Sequence, residues 1–414
     1  MTRLIIRNAN LYTPLGFKAK CGTEMGNILH VQNAVIVADD GVIVYAGNEA
    51  EMPPLSDDAD QEIAIDAAGR AVVPGFVDSH THLIFGGYRP EEFSWRLKGD
   101  TYMSIMERGG GIQSTVNATR GMSVREMASK ALWFLDRMLE MGVTTVEAKS
   151  GYGLDKETEL RMLEALRLLA EDEENKVDIV PTFLGAHAVP SEYKGRTGEY
   201  VDFLIREVLP EASRLAEFFD IFTEKNVFEI EDSRRMLQAA AASGMKLKLH
   251  ADEIVQLGGA ELAAECRAVS ADHLLHVSDA GIKAMAEAGT VATLLPLTAF
   301  ALKEEYAPAR KFIDAGCAVA LATDLNPGSC FSGSIPLTIA LACIYMKMSV
   351  SETLTALTLN GAAAVDRADS IGSIEPGKRA DILILHFDTL DALPYYVGMN
   401  CVDKVIKNGE PVSV

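Results

Sequence analysis

Apolar and polar residues alternate with a period of two at both ends of the chain. The first seventy residues contain four such segments, separated by Gly, Asn and Asp: Leu4–Ile6, Ala34–Ala38, Val42–Tyr45 and Glu62–Asp66. Two more lie near the C-terminus, the second followed by the turn pair Asn408-Gly409: Asp381–Leu385 and Val402–Lys407. This alternation predicts antiparallel strands. Because each end has few strands, we expect both ends to pair into one small sheet domain.

Between the two ends, strands alternate with amphipathic helices. The clearest helix runs from Ser123 to Met141, where Ser123 and Glu126 form a capping box and Gly142 takes the C-cap position. Eight β segments alternate with such helices: Val73–Asp78, Val143–Glu147, Val177–Leu184, Phe218–Thr223, Lys246–His250, Ala268–Asp272, Val291–Leu295 and Ala318–Thr323. Alternating β and α units predict a parallel sheet, and eight units predict a closed barrel. The sequence therefore predicts an α/β fold with a (β/α)8 TIM barrel.

Composition restricts the class of partner. The chain has 414 residues, of which 48% are apolar, so it can bury a large core. Its formal net charge of −21 repels phosphate backbones and anionic lipid, which argues against nucleic acid and membrane partners. The six cysteines are scattered and indicate reduced thiols. With no signal-peptide core and no long apolar run, a cytoplasmic location is expected.

Histidines are concentrated after the predicted barrel strands. Five of the eight lie at or just after the C-terminal end of such a strand: His80, His82, His187, His250 and His273. Active sites of TIM barrels are built at this end. Their placement therefore predicts a functional site there.

Four of the strand-end side chains are of metal-ligating type. His80 and His82 follow the first strand and, two residues apart, point the same way if strand geometry persists. His250 ends the fifth strand and Asp324 ends the eighth. An H-x-H pair alone is a weak signal, but three imidazoles and a carboxylate together suit zinc or iron. We expect these four residues to bind one Zn²⁺ or Fe²⁺/Fe³⁺ ion.

Two further residues are candidates for proton transfer. Glu253 lies three residues after His250, where it can face the pocket without binding the ion; a solvated loop carboxylate is the alternative. His273 follows the sixth strand and either binds the ion or polarises a substrate carbonyl and holds the water. Hydrolysis of a ring amide needs such groups, because one carboxylate must accept the proton of water and an acid must protonate the leaving nitrogen.

These motifs together resemble the amidohydrolase superfamily. The run Pro74–His82, a later strand-end histidine, another histidine and a final strand-end aspartate match its metal framework. Within it, several segments are similar to those of the imidazolonepropionases: Gly109–Ile112, Lys149–Leu154, His250–Glu253, Ser270–His273, and Ala322–Asp324 with Asn326–Ser329. The resemblance extends from about Leu4 to the C-terminus.

The resemblance implies a domain organisation and a reaction. The TIM barrel would span residues 71–369, and a small β-sandwich would combine residues 1–70 and 370–414. The implied reaction is hydrolysis of the imidazolone ring of 4-imidazolone-5-propanoate to N-formimidoyl-L-glutamate, a step of histidine degradation. Glu253 and His273 would be catalytic residues that do not bind the metal, and Asp324 would accept the proton of the water.

The resemblance also implies residues that bind an anionic small-molecule substrate. Arg89, seven residues after His82, would clamp the propanoate carboxylate through a bidentate contact, although any arginine alone is as readily a surface residue. The other candidates lie at the predicted barrel mouth or just past the metal-binding aspartate: Tyr102, Tyr152, His187, Asn326, Gly328 and Ser329.

Lysine placement bears on the number of metal ions. Many binuclear amidohydrolases bridge two ions with a carboxylated lysine at the end of the fourth strand. Here that strand ends in the charged turn Glu224-Lys225, and Lys149 lies on the second strand. One ion per subunit is therefore predicted. The segment Cys330–Ser334 differs from typical members, which bears on the shape of the pocket.

Two alternatives remain at this stage. Another mononuclear amidohydrolase, such as a nucleobase aminohydrolase, would share the metal ligands but would have little use for an arginine clamp. A non-enzymatic scaffold would be expected to lose ligands, whereas this chain keeps the whole set. The outer helices of such barrels often support dimers, so a homodimer is expected.

Overall fold

The computed structural model describes residues 1–56, 59–100, 108 and 110–413. Its strands form two eight-stranded sheets. In chain order the strands β1 to β16 are Thr2–Pro14, Ile28–Asp39, Val42–Asn48, Gln61–Asp66, Ala71–Pro74, Phe76–Thr81, Val143–Lys149, Asp178–Ala186, Phe218–Thr223, Lys246–Ala251, Ser270–His273, Val291–Leu294, Val319–Leu321, Ile382–Leu385, Val402–Lys407 and Glu410–Val412.

The first sheet joins the two ends of the chain, as the alternating pattern predicts. Its order is β16-β15-β14-β5-β1-β2-β3, with β4 also pairing with β1. β5 lies between the two ends, parallel to β1 and antiparallel to β14, with Ile382 opposite Pro74. Alternate residues such as Leu4, Ile36 and Ile382 form a separate buried core on this sheet.

The second sheet is the predicted parallel barrel. Strands β6 to β13 lie in chain order. The segment after the last strand meets the end of the first barrel strand through backbone hydrogen bonds. The Asp324 N–H donates to the His80 carbonyl at 3.0 Å, and the His82 N–H donates to the Leu325 carbonyl at 2.9 Å. The contact that closes the barrel thus joins the two segments that carry predicted metal ligands.

The expectation of a single strand over Val73–Asp78 is wrong. The chain passes from the first sheet to the barrel at Gly75, so β5 ends at Pro74 and β6 begins at Phe76. A Cβ on Gly75 would lie 2.3 Å from Oγ1 of Thr144, so only glycine fits at this crossing. Both strands are fully buried, and their apolar pattern therefore continues across the break.

Helices cover the outside of the barrel. The longest, Val124–Glu140, begins with the predicted capping box of Ser123 and Glu126. The other α-helices are Pro90–Leu97, Ile112–Arg120, Lys156–Ala170, Thr197–Phe203, Leu209–Ala212, Ile230–Ala242, Gly259–Glu265, Asp279–Ala288, Pro296–Leu302, Ala309–Asp314, Ile335–Ile344, Val350–Leu357, Leu359–Ala364 and Ala392–Tyr395. Short 3₁₀ turns occupy Gly22–Gly26, Glu49–Glu51 and Ser191–Tyr193, and a π-helix occupies Leu204–Val208. Among the helices of the described residues, none combines the length and the apolar character needed to cross a membrane.

Candidate active site

Four side chains converge at the C-terminal end of the barrel. Asp324 Oδ1 lies 3.6 Å from His80 Nε2 and 3.5 Å from His82 Nε2. His82 Nε2 lies 3.3 Å from His250 Nε2. Nitrogen and oxygen ligands about 2.1 Å from a tetrahedral ion are separated by roughly 3.4 Å. The structure thus brings together all four residues that the sequence predicts as ligands, with the spacing that one ion requires.

The ligand atoms themselves support a cation at this point. His80 Nε2 and Asp324 Oδ1 are buried and have no hydrogen-bond partner among the described residues. Burying a polar atom without a partner is unfavourable, and native proteins seldom do so without a ligand or water. These residues therefore fit a bound metal ion.

Aspartates behind two of the histidines orient their rings. His80 Nδ1 lies 2.6 Å from Asp272 Oδ2, and His250 Nδ1 lies 3.0 Å from Asp220 Oδ2. With the proton of His80 on Nδ1 facing Asp272, the Nε2 lone pair of His80 faces the ion position, as is usual for metal-binding histidines. Asp220 lies within ion-pair distance of the corresponding atom of His250. Sequence reasoning missed both aspartates. A charged residue inside the otherwise apolar strand Phe218–Thr223 was the available signal for Asp220.

Each aspartate is approached by a buried lysine. Lys149 Nζ lies 2.8 Å from Asp220 Oδ2 and 2.6 Å from Glu147 Oε1. Lys248 Nζ donates to Ser270 Oγ at 2.6 Å and lies 3.5 Å from Asp272 Oδ2. Burial by itself lowers the pKa of Lys149, but the Asp220 and Glu147 carboxylates outweigh it and raise the pKa above its ordinary value. Lys149 is therefore held as an ammonium.

Backbone geometry sets the direction of two site residues. Asp324 has φ of 54° and His273 has φ of 74°, both in the left-handed region that non-glycine residues rarely adopt. The Thr298 hydroxyl donates to Asp324 Oδ2 at 2.6 Å and leaves Oδ1 directed at the histidines. Such strained residues persist where the surroundings hold them, and they are concentrated at functional sites.

Glu253 and His273 form a second pair beside the predicted ligands. Glu253 Oε2 lies 3.4 Å from His273 Nε2, and the Glu253 side chain is only 16% exposed. Burial, assisted by the nearby Asp324 carboxylate, raises the pKa of Glu253 to about 8. The Glu224 carboxylate accepts hydrogen bonds from the Ile254 and Val255 N–H groups and holds the loop that carries Glu253. Glu253 is therefore a fixed, largely buried acid and not a solvated loop residue.

Aromatic rings border the histidines. The His187 ring stacks on His82 with centroids 4.9 Å apart, and the Tyr152 ring lies 5.1 Å from His187. His187 Nδ1 donates to the Gly151 carbonyl at 3.0 Å, so its Nε2 is the remaining polar atom of the ring. Burial lowers the pKa of His187 to about 3, and it is therefore neutral. Tyr102, the other aromatic candidate, lies outside the described residues.

Arg89 lies against the loop that follows Asp324. Its side chain is 11% exposed, and its Nε is buried without a hydrogen-bond partner in the described part of the chain. A Cβ placed on Gly328 would fall 2.0 Å from Nη2 of Arg89. Among the described residues, the carboxylate within ion-pair distance of Arg89 is that of Glu92, 3.5 Å from Nη1. The guanidinium therefore has donors available for an anionic ligand.

Asn326 organises the same loop. Its Nδ2 donates to the Asp324 carbonyl at 2.8 Å, and its Oδ1 accepts the Gly328 and Ser329 N–H groups, each at 2.8 Å. The amide of Asn326 is thus engaged within the loop. It fixes Gly328 and Ser329 relative to Asp324.

Comparisons with known proteins agree with this geometry. The pattern of the amidohydrolase family matches residues 71–412. The imidazolonepropionase of Bacteroides thetaiotaomicron is 63% identical over 412 residues, covering 98% of each chain. That of Clostridium tetani is 54% identical, covering 99% of this chain and 98% of its own.

Solved structures show the same fold at low sequence identity. A 5-methylcytosine deaminase from Klebsiella pneumoniae superposes with a TM-score of 0.74 at 18% identity, covering 99% of this chain and 97% of that one. A triazine hydrolase from Arthobacter aurescens gives a TM-score of 0.75 at 19% identity, covering 99% and 94%. These likenesses concern the fold.

Proposed function

The chain belongs to the amidohydrolase family and, within it, to the imidazolonepropionases, and from this premise we propose a function for the site. The protein is a hydrolase of cyclic amide C–N bonds. It opens the imidazolone ring of 4-imidazolone-5-propanoate and gives N-formimidoyl-L-glutamate, a step of histidine degradation. The cytoplasmic location and the homodimer expected from the sequence stay predictions.

One observation supports the chemistry most directly. The atoms His80 Nε2, His82 Nε2, His250 Nε2 and Asp324 Oδ1 lie together, with neighbouring separations of 3.3–3.6 Å. We infer that these four residues hold one Zn²⁺ or Fe²⁺/Fe³⁺ ion per subunit. The ammonium of Lys149 is already paired with Asp220 and Glu147, which supports a single ion because this lysine is not free to bridge a second. When bound, the ion polarises the ring carbonyl and lowers the pKa of a water molecule.

The chain's own residues then direct the protons. We propose that Asp324, one of the four residues that would hold the ion, accepts a proton from the attacking water. Glu253, with its pKa near 8, is largely protonated at neutral pH and can donate to the leaving ring nitrogen. His273, 3.4 Å from Glu253, orients that carboxyl and faces the substrate carbonyl.

Substrate binding is proposed at the rim of the same site. Arg89 binds the propanoate carboxylate through its guanidinium, whose Nε has no hydrogen-bond partner among the described residues. Tyr152 and His187 bind the ring and its carbonyl. Gly328 and Ser329, held by Asn326, form the wall beside Arg89, and Tyr102 stays a prediction from the sequence.

A turnover assay on the metal-loaded protein tests this function. Purified protein with measured zinc and iron content is mixed with 4-imidazolone-5-propanoate, and loss of the ring absorbance is followed. In parallel, cytosine, adenine and guanine are supplied and ammonia is measured, because a nucleobase aminohydrolase would share the metal ligands. Ring opening without ammonia release is expected. Ammonia release from a nucleobase, with the imidazolone untouched, would contradict the proposal.

A further inference from the structure

Arg96 contacts the same loop residue as Arg89. The helix Pro90–Leu97 begins directly after Arg89, and Arg96 lies in its last turn. Seven residues of helix make about two turns, so both arginines lie on one side of it. Arg96 Nη2 donates to the Gly328 carbonyl at 2.9 Å, while the Arg89 guanidinium lies against the Gly328 α-carbon. Two arginines, one just before this helix and one in its last turn, thus contact the same loop residue.

Charge at this place is unbalanced. Glu92 lies 3.5 Å from Arg89, and its Oε1 also accepts the Gly111 N–H at 3.1 Å. No second carboxylate contacts either arginine among the described residues. Burial lowers the pKa of Arg96, and the neighbouring Arg89 cation adds to this effect. Among the described residues, the two guanidinium groups thus have one carboxylate, Glu92, within ion-pair distance.

We propose that Arg96 is a positioning residue for carboxylate recognition. It fixes Gly328, and through Gly328 the place of Arg89, so that the substrate carboxylate is bound at one set distance from the metal-binding residues. This inference rests on the proposed function.

The contact between Arg96 and Gly328 joins two segments that are far apart in sequence. A hydrogen bond from a charged donor to a backbone carbonyl is among the stronger ones. Without the hydrogen bond from Arg96 to Gly328, the loop at Gly328 and the helix at Arg96 can separate. Arg89 then no longer packs against Gly328. The loss should appear in substrate binding while the metal ligands stay in place.

A double-mutant cycle tests the proposal. Arg96→Gln, Arg89→Ala and the double variant are assayed with 4-imidazolone-5-propanoate. Arg96→Gln should raise KM on the order of tenfold with kcat and metal content nearly unchanged. In the Arg89→Ala background the same change should raise KM by less than about twofold, because Arg96 acts through Arg89. Arg96→Lys, which keeps a charged donor, should restore part of the loss.

Several results would overturn it. An unchanged KM in Arg96→Gln, an equal effect in both backgrounds, or no difference between the Gln and Lys variants each contradicts positioning. Arg96→Met keeps the partly buried aliphatic stem and replaces the Gln variant, with the same expected result, if that variant does not fold. Arg125→Gln, an exposed arginine on the helix Val124–Glu140, is the matched control. If the unaltered protein does not open the ring, the proposed function fails and not the role of Arg96 alone.

Discussion

The Arg89 guanidinium occupies the space that a side chain on Gly328 would need. A Cβ on Gly328 would lie 2.0 Å from Nη2 and 2.9 Å from Cζ of Arg89. Non-bonded atoms do not approach this closely, so Arg89 can hold this position only because residue 328 has no side chain. The relationship links the arginine proposed to bind the carboxylate to the loop that begins at the proposed metal-binding aspartate. A substitution at Gly328 therefore tests the role of Arg89.

Gly328→Ala should displace Arg89 and weaken binding of the propanoate. KM is expected to rise on the order of tenfold or more, since a charged hydrogen bond to the carboxylate is lost. Metal content should not change, because the ligands lie elsewhere. Steady-state kinetics with metal analysis checks both. Gly198→Ala is the control, because a Cβ there would meet nothing within 4 Å. Equal kinetics in the two variants would remove Gly328 from the site.

Asp272→Asn should weaken metal binding. Asp272 accepts the His80 Nδ1 proton at 2.6 Å and so fixes the ring that presents Nε2 to the ion. Loss of such a partner typically reduces metal affinity by roughly 10- to 100-fold. Competition with a chelator measures the dissociation constant directly. Asp279→Asn, an exposed aspartate paired with Lys311, is the control and should bind metal as the unaltered protein does. An unchanged affinity in Asp272→Asn would show that the ring needs no such support.

Glu253→Gln should keep the metal and lose most turnover, because it removes a proton donor and not a ligand. The raised pKa of Glu253, about 8, means that its protonated form persists to higher pH than an ordinary carboxyl. The unaltered enzyme should therefore lose kcat/KM as pH rises through about 8, and the residual activity of Glu253→Gln should lack this decline. The pH profile of kcat/KM, recorded for both proteins, measures this difference. Glu287→Gln, an exposed glutamate, should behave as the unaltered enzyme.

The strands and the metal-ligating histidines could be predicted because both are local signals. A buried strand shows as an apolar run; His250 lies near the end of one, and Asp324 lies three residues after another. The Val73–Asp78 strand was wrong because the apolar pattern does not reveal that Gly75 passes between sheets. Asp220, Asp272 and Arg96 were missed because their partners, His250, His80 and Gly328, are reached only when distant segments fold together.

Glu352→Gln tests a source of stability remote from the site. Glu352 accepts the Ser349 N–H at 2.8 Å, in the capping box of the helix Val350–Leu357, and both Arg310 guanidinium ends at 3.0 and 3.1 Å. These contacts outweigh burial and lower the pKa of Glu352. A carboxyl whose pKa is lowered by folding stabilises the folded state at pH values above the ordinary pKa of glutamate. This stabilisation is lost as the pH falls through the pKa of the folded state. The variant should therefore lose about 1–2 kcal/mol of unfolding free energy at pH 7 and a smaller amount near pH 3. Denaturant unfolding at both pH values measures this. Glu126→Gln removes an equivalent capping carboxylate that has no arginine partner among the described residues, so its loss at pH 7 should be smaller. Equal losses would mean that Arg310 contributes nothing.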